Sequence, residues 1–164
     1  MSTSQQSLII VHGGELAKDV AQQLLVKLAA KIPNLKVQLQ CASHKPKDLV
    51  NVSSTRLCFV IQTIENSAAT EEGSALLRFF KRKTHPPNLF ESSVEYTVLG
   101  LGDSNLLLDR QTTSAKDCNQ VAQQLDARLE YLGATRFHSL GMADERTGMT
   151  EVEPWIEGLC NALS

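Results

Sequence analysis

Short apolar runs alternate with stretches of helical periodicity along the chain. The first run, SLIIV at 7–11, predicts a strand that Gly13 and Gly14 bring to an end. Leucine, valine and alanine then recur every three or four residues, which predicts an amphipathic helix over 15–30. Pro33 and Asn34 end this helix. The chain therefore opens with a strand followed by a helix.

The alternation continues towards the C-terminus. Further strands are predicted at 35–39, 57–61, 96–99 and 135–140, and further helices at 73–82, 115–132 and 154–162. Strands that alternate with helices form a parallel sheet with helices on both faces. Five strands in a chain of this size favour the flavodoxin-like strand order 2-1-3-4-5. The predicted fold is a three-layer α/β sandwich around this five-stranded sheet.

Length and composition are those of one globular domain. Of the 164 residues we assign 1–6 to a disordered N-terminus and 7–164 to the domain. The net charge of −2 gives no reason to expect a nucleic-acid partner. The apolar runs are too short to span a membrane, and 1–7 lacks a signal-peptide pattern. We therefore expect a cytoplasmic protein that binds neither nucleic acid nor membranes.

Cysteine and histidine residues are widely spaced. No Cys-x-x-Cys pair and no Cys/His group with zinc spacing occurs in the sequence. The cysteines are therefore predicted to be reduced, partly buried thiols, and no histidine is assigned a catalytic or metal-binding role. These residues are Cys41, Cys58, Cys118, Cys160, His12, His44, His85 and His138.

The strand order indicates where a ligand would bind. In open parallel sheets ligands bind beyond the carboxyl ends of the strands, where the strand order reverses. This rule selects the loops 12–17, 62–72 and 100–113. The first loop offers Gly13, Gly14 and the helix N-terminus to a phosphate, but it has no hydroxyl side chain and Glu15 adds a negative charge. Phosphate binding and a tight turn without a ligand both remain open.

The second and third loops carry hydrogen-bonding side chains. Gln62, Thr63, Glu65, Asn66 and Ser67 could bond to the polar edge of a ring, although a solvated loop explains them equally well. The third loop, GLGDSN at 100–105, joins two glycines directly to a buried strand. Its polar residues can bind a ligand or cap the backbone. The glycine pair at the predicted ligand edge favours a ligand.

Several segments resemble one protein family. VLGLGDSN at 98–105 resembles the fourth-strand signature of the FMN domain of diflavin reductases, and LDARLEYLGATRF at 125–137 is similar to the RLxxLGA pattern that follows it. GMADERTGMTEVEPWIEGL at 141–159 and LQCASHKPKDL at 39–49 resemble the methionine synthase reductase branch of this family. The resemblance covers nearly the whole chain.

The resemblance implies an FMN-binding electron-transfer domain. Such a domain takes electrons from an NADPH/FAD reductase domain or protein and passes them to a protein acceptor, so no complete active site is expected on this chain alone. An acidic surface formed by Glu65, Glu71, Glu72 and Asp103 would meet a basic partner. The residues that the resemblance assigns to FMN are Gly13, Gly14, Glu15, Thr63, Ile64, Glu65, Asn66, Gly100, Leu101, Gly102, Asp103, Asn105 and Leu106.

The chain departs from the family in all three loops. The first loop lacks the hydroxyls of the family's Ser/Thr-rich pattern, and the second, TIENSAA, keeps Thr63 but lacks the glycines and the proline. Leu106 stands where the family has an aromatic residue that stacks on the flavin. Loss of this ring would weaken FMN binding roughly 5- to 150-fold. A second hypothesis is therefore a degenerate flavodoxin-like domain that has lost FMN and acts through protein–protein contacts.

Overall fold

The computed structural model describes residues 6–50, 55–64, 68–86, 89–90, 94–104 and 118–164. These residues form strands and helices in regular alternation. In chain order they are β1 (Ser7–Gly13), α1 (Glu15–Lys31), β2 (Lys36–Cys41), β3 (Thr55–Ile64), β4 (Ala68–Ala69), α2 (Glu71–Phe80), β5 (Glu95–Gly102), α3 (Gln120–Tyr131), β6 (Thr135–Arg136), β7 (Gly141–Asp144) and α4 (Val152–Leu163). Short 3-10 turns occupy Pro46–Leu49 and Glu145–Thr147.

The strands form one mainly parallel sheet in the order β2-β1-β3-β5-β6. β7 also pairs with β5 in parallel, with Gly141 opposite Leu99, whereas β6 places Thr135 opposite Glu95. β6 and β7 therefore share the fifth position of the sheet. β4 adds a two-residue antiparallel pairing at the end of β3. The predicted strand order 2-1-3-4-5 and the three-layer sandwich are confirmed.

Both faces of the sheet are buried. One face packs against α1 and α4, and its core includes Leu8, Ile10 and Val60. The other face packs against α2 and α3, and its core includes Val11 and Phe59. Successive side chains of a strand point to opposite faces, so a strand that is covered on both sides is apolar at every position. This explains the continuous apolar runs in the sequence.

The fifth strand differs from the prediction of 135–140. It is broken between β6 and β7, and it continues to Asp144. The Thr97 hydroxyl donates to the carbonyl oxygen of His138 at 2.9 Å, and Trp155 Nε1 donates to that of Ser139 at 2.8 Å. Between β6 and β7, these two side chains donate to carbonyl oxygens that would otherwise accept from the backbone of a neighbouring strand. The break therefore results from long-range contacts that the local pattern does not contain.

Two helices, α2 and α3, begin at residues other than those predicted. α2 begins at Glu71 and not at 73, because the Thr70 hydroxyl accepts a hydrogen bond from the Gly73 N–H at 3.2 Å. α3 begins at Gln120 and not at 115, and residues 115–117 lie outside the described part of the chain. α1 and α4 lie within two residues of their predicted ends.

The described helices include none with both the length and the apolar character that a membrane span needs.

All four cysteines are free thiols, as predicted. Cys58, Cys118 and Cys160 are buried, and Cys41 is half-buried. Burial, with a smaller contribution from the carboxylate of Asp144, raises the pKa of Cys118 to about 12. This thiol is therefore protonated at neutral pH.

Candidate functional site

The carboxyl-terminal edge of the sheet brings the exits of β1, β3 and β5 side by side, as the strand order predicts. Gly13 lies opposite Ile61, and Ile61 lies opposite Gly100. Residues assigned to the first, second and third loops therefore meet at one edge. Of the thirteen residues that we assigned to FMN, Glu65, Asn66, Asn105 and Leu106 lie outside the described part of the chain.

The connection between β1 and α1 is a single residue, Gly14. The prediction of a loop over 12–17 is wrong here, because β1 runs to Gly13 and α1 starts at Glu15. Gly14 has a φ of 117°, and its carbonyl accepts the first helical hydrogen bond from the Lys18 N–H. Glycine adopts this φ without the steric cost that other residues have. The strand can therefore turn directly into the helix, which we call the β1–α1 corner.

Side chains from β3 and α2 fill the space at the β1–α1 corner. The Gly14 N–H donates to Glu72 Oε2 at 2.8 Å. A Cβ atom on Gly14 would lie 2.4 Å from Gln62 Oε1 and 3.1 Å from Thr70 Cγ2. The Glu72 carboxylate thus lies at the positive end of the α1 dipole, where an anion is stabilised. The protein supplies its own anion to this helix N-terminus.

The phosphate of FMN does not fit the β1–α1 corner in this arrangement. A helix N-terminus binds phosphate through free N–H groups, but the Gly14 N–H is bonded to Glu72 and the flank of Gly14 is occupied by Gln62. Glu72 would also repel a phosphate. Gly13, Gly14 and Glu15 as phosphate ligands stay a prediction, which the described contacts do not favour.

The exit of β3 holds α3 in place. Thr63 is only 3% exposed, and its hydroxyl oxygen accepts a hydrogen bond from the Val121 N–H at 3.2 Å. Val121 is the second residue of α3, so Thr63 caps that helix. Ile64 is 39% exposed at the same edge. Thr63 therefore has a structural partner, and its predicted contact with FMN stays a prediction.

The exit of β5 uses its glycines for packing within the chain. Gly100, Leu101 and Gly102 lie in the strand and are buried. A Cβ atom on Gly100 would lie 2.6 Å from Ala122 Cβ, and one on Gly102 would lie 2.3 Å from the Cys118 carbonyl oxygen. The two glycines let the start of α3 approach the strand. We predicted that these glycines let a ligand approach the backbone. Among the described residues, it is α3 and the residues just before it that lie against them.

Asp144 organises the start of the third loop. Its Oδ1 accepts hydrogen bonds from the N–H groups of Ser104 at 2.9 Å and Arg146 at 3.0 Å. Burial alone would raise the pKa of Asp144, but these hydrogen bonds outweigh it and hold the pKa below its usual value. Asp103 precedes this bonded residue and is half-buried. Asp144 was not among the predicted site residues, although its position at the end of the fifth strand places it at the predicted ligand edge.

Three potential metal ligands lie next to the β1–α1 corner. A ring nitrogen of His12, the Cys41 Sγ and a carboxylate oxygen of Glu72 all lie within 4.8 Å of one another. His12 and Cys41 are paired in the register of β1 and β2, which brings them together despite their distance in sequence. Burial lowers the pKa of His12, and the Glu72 carboxylate opposes this shift. The three residues are too far apart in sequence for a spacing rule to predict this cluster, since strand register brings His12 and Cys41 together.

Glu72 is also one of the residues that we predicted for an acidic surface. It is half-buried and bonded to Gly14, whereas Glu71 beside it is exposed. Glu72 therefore contacts the backbone of the β1–α1 corner and is not part of an exposed acidic surface. Glu71 and Asp103 remain candidates for contact with a basic partner.

Known proteins resemble this chain over most of its length. The family model described as Flavodoxin matches residues 15–155, so β1 and Gly14 precede the matched region. Methionine synthase reductase of Bos taurus is 33% identical over 148 residues, which cover 90% of this chain and 20% of that protein. The sulfite reductase (NADPH) flavoprotein alpha-component of Vibrio cholerae is 34% identical over 169 residues, covering 92% of this chain and 26% of that protein. The chain thus spans about a fifth to a quarter of the length of these relatives.

Solved structures show the same fold. A mutant of flavodoxin from Pseudomonas aeruginosa superposes with a TM-score of 0.70 at 19% sequence identity, covering 96% of this chain and 98% of that one. A short-chain flavodoxin associated with a bacterial microcompartment superposes with a TM-score of 0.68. The family model covers far more than half of the chain, and the strand order agrees with it. The chain belongs to the flavodoxin family.

Proposed function

We propose that this domain takes the position of the FMN domain in a diflavin-reductase-type electron-transfer system and works there through protein contacts, without a tightly held FMN. Its partners would be an NADPH/FAD reductase and a protein acceptor. The similarity to two reductases over 90% or more of the chain supports this position. The observation that carries the proposal is the hydrogen bond from the Gly14 N–H to Glu72 Oε2.

The charge at the β1–α1 corner supports loss of the phosphate anchor. Two unit charges of the same sign about 4 Å apart repel by about 4 kcal/mol at a protein surface. Glu72 lies at the N–H that a phosphate would need. A phosphate group would have to displace this carboxylate or approach against its charge. We therefore expect the phosphate of FMN to add no affinity.

The same edge of the sheet offers contacts to a protein partner. Ile64 exposes an apolar side chain at the exit of β3, and Glu71 exposes a carboxylate at the start of α2. An exposed apolar residue and an exposed carboxylate at the same edge suit a partner with a basic rim, because charge directs the approach and apolar burial holds the complex. This edge is the docking surface that we propose.

A second candidate is an FMN electron carrier that holds the flavin without the phosphate anchor. The retained GLGDS segment favours it, because Gly102 and Asp103 still stand at the ligand edge of the family fold. In that case the isoalloxazine ring supplies all the affinity. Bound FMN would then supply the one-electron chemistry, and Gly102 and Asp103 would be among the residues that hold it.

Titration with FMN and with riboflavin separates these candidates, since the two flavins differ only in the phosphate. We expect the purified wild-type protein to carry no flavin absorption and to quench neither flavin up to about 100 μM protein, which corresponds to less than about 5.5 kcal/mol of binding free energy. Quenching of both flavins with equal affinity would favour the second candidate. FMN binding at least about tenfold tighter than riboflavin binding would refute a closed phosphate site.

A further inference from the structure

We propose that His12, Cys41 and Glu72 form a binding site for a divalent transition-metal ion of the zinc class. This inference does not depend on the proposed function, because it rests on three side chains and needs neither a flavin nor a partner. It assigns the β1–α1 corner to a cation, whereas the family resemblance assigns it to an anion.

The backbone holds two of the ligands in position. His12 and Cys41 are directly paired in adjacent parallel strands, where neighbouring side chains lie on one face of the sheet about 5 Å apart. The Ala42 N–H donates to the His12 carbonyl oxygen at 2.8 Å, which continues the ladder past Cys41. Both ligands therefore stand on regular sheet, which positions side chains more accurately than a loop does.

The donor atoms are close enough for one ion. All three lie within 4.8 Å of one another, whereas ligand atoms on a tetrahedral zinc ion lie about 3.5 Å apart. The donor atoms would have to approach one another by at most about 1.3 Å, which side-chain rotation can supply. Sulfur, imidazole nitrogen and carboxylate oxygen are the three ligand types that zinc takes in proteins. Three protein ligands leave a fourth position for water or another ligand.

His12 has a buried nitrogen that lacks a partner. The residue is 8% exposed, and its Nδ1 makes no hydrogen bond to the described residues. A buried polar atom in this state is unfavourable unless something binds it. A metal ion at Nδ1 would satisfy this atom.

The remaining ligands are reachable and supported. Cys41 and Glu72 are half-buried, so an ion can enter from solvent. The Gly14 N–H orients the Glu72 carboxylate, and the Ser43 hydroxyl lies 3.2 Å from Cys41 Sγ. Outer hydrogen bonds of this kind fix the orientation of metal ligands. When the ion binds, Cys41 releases its proton to solvent, and the thiolate and carboxylate balance the two positive charges.

Cobalt(II) is a suitable probe, because a thiolate ligand gives it charge-transfer absorption in the near ultraviolet and tetrahedral coordination gives it visible bands. We expect tag-free, reduced protein to bind one equivalent of Co²⁺ with both signals, and added Zn²⁺ to abolish them. The other cysteines are buried, so the thiolate signal must come from Cys41. Zn²⁺ should also raise the thermal midpoint of the wild-type protein.

Single substitutions test each ligand. Cys41→Ser should remove the charge-transfer band, and His12→Asn and Glu72→Gln should each weaken Zn²⁺ binding by more than the roughly 10- to 100-fold that loss of an outer hydrogen-bond partner costs. Glu72→Gln retains an oxygen that can accept from the Gly14 N–H, so the fold of the corner is kept. His44→Asn is the matched control, since His44 is exposed close to Cys41 in sequence, and it should bind metal as the wild type does.

Two results would overturn the metal site. One is a folded wild-type protein, by circular dichroism, that gives no Co²⁺ charge-transfer band at about tenfold metal excess. The other is a band that persists in Cys41→Ser. If His12→Asn fails to fold, Cys41→Ser and Glu72→Gln still decide the question. Neither result bears on the flavin titration, so the metal site and the proposed function can fail separately.

Discussion

Two regions at the same edge of the sheet differ in how far they keep the family's sequence pattern. Where β5 ends and α3 begins, which we call the β5–α3 corner, the segment GLGDS is retained, and its residues pack against the protein or bond to it. Gly100 and Gly102 accommodate α3, and the Ser104 N–H is bonded to Asp144. At the β1–α1 corner the family's hydroxyl residues are absent, and the Gly14 N–H is bonded to Glu72.

The comparison separates fold from ligand binding. Residues whose atoms pack against the protein itself are constrained even without a ligand, because a change at such a position strains the core. Residues that serve only a ligand lose this constraint once the ligand is no longer needed. The described contacts of the GLGDS segment are explained by folding alone. Retention of that segment is therefore weak support for FMN binding, and the β1–α1 corner is more informative.

The largest effect is expected at the β5–α3 corner. In Gly102→Ala the new Cβ would lie 2.3 Å from the Cys118 carbonyl oxygen, so the backbone of one element must move. We expect the free energy of unfolding to fall by about 3 kcal/mol, at the upper end of overpacking costs. Urea unfolding followed by circular dichroism measures this. The control is Gly148→Ala, where φ is +73° and no atom lies within 4 Å of the new Cβ; its cost should be about 1 kcal/mol. Equal losses in the two variants would show that β5 and α3 are not closely packed.

A smaller effect is expected for Gly14→Ala. Its Cβ would lie 2.4 Å from Gln62 Oε1, but this atom ends a flexible side chain that can move, and the φ of 117° adds strain. We expect a loss of about 2 kcal/mol. The double variant Gly14→Ala/Gln62→Ala should lose less than the sum of the two single variants, because the clash is gone. Strict additivity would contradict the contact between Gly14 and Gln62.

Asp144→Asn should cost about 1–2 kcal/mol at pH 7, because the charged acceptor of two N–H groups is lost. The lowered pKa of Asp144 in the folded state means that the unfolded state binds the proton more tightly. The carboxylate therefore stabilises the fold above the unfolded pKa of about 3.9, and this contribution disappears as the pH falls through the lower folded pKa.

The pH dependence offers the sharper readout for Asp144. We expect the difference in unfolding free energy between wild type and Asp144→Asn to shrink as the pH is lowered from about 6 to below 4. Urea titrations across this range measure the difference. A difference that stays constant with pH would show that the carboxylate charge does not hold the third loop.

The smallest effect on stability is expected for Glu72→Gln. The amide oxygen can still accept from the Gly14 N–H, so the loss should be below about 1 kcal/mol. The charge is removed, however, so Glu72→Gln should quench FMN at protein concentrations where the wild type does not, whereas riboflavin should stay unquenched with both proteins. Flavin fluorescence titration of the wild type and the variant measures both responses. An FMN response no stronger than that of the wild type would show that Glu72 is not what excludes the phosphate.

The fold could be predicted from the sequence, because each strand and helix has its own local pattern. The apolar run LCFVI in β3 predicts a strand with helices packed on both faces, and the leucines of α1 pack against one of these faces. The break between β6 and β7 could not be predicted, since it depends on Thr97 and Trp155, which are distant in sequence. Local periodicity does not contain such contacts.

The position of the candidate site could be predicted from the sequence, but the side chains that fill it could not. Strand order alone places Gly13, Thr63 and Gly100 at one edge. The Gln62 and Glu72 side chains that fill the β1–α1 corner come from other elements, and no spacing rule points to them. The pairing of His12 with Cys41 follows from the register of β1 and β2. Strand boundaries are predicted from sequence only to within about two to four residues, and a shift of one residue already moves a side chain to the other face.

The amide resonance of Gly14 reports on the closed phosphate site, because this N–H is the group for which Glu72 and a phosphate would compete. ¹⁵N-labelled wild type and Glu72→Gln are titrated with FMN, with riboflavin and with inorganic phosphate. We predict that the Gly14 and Glu15 amides of the wild type stay unshifted in all three titrations, and that FMN and phosphate shift them in Glu72→Gln. A saturable shift of the wild-type Gly14 amide with FMN and none with riboflavin would show that the corner binds the FMN phosphate despite Glu72.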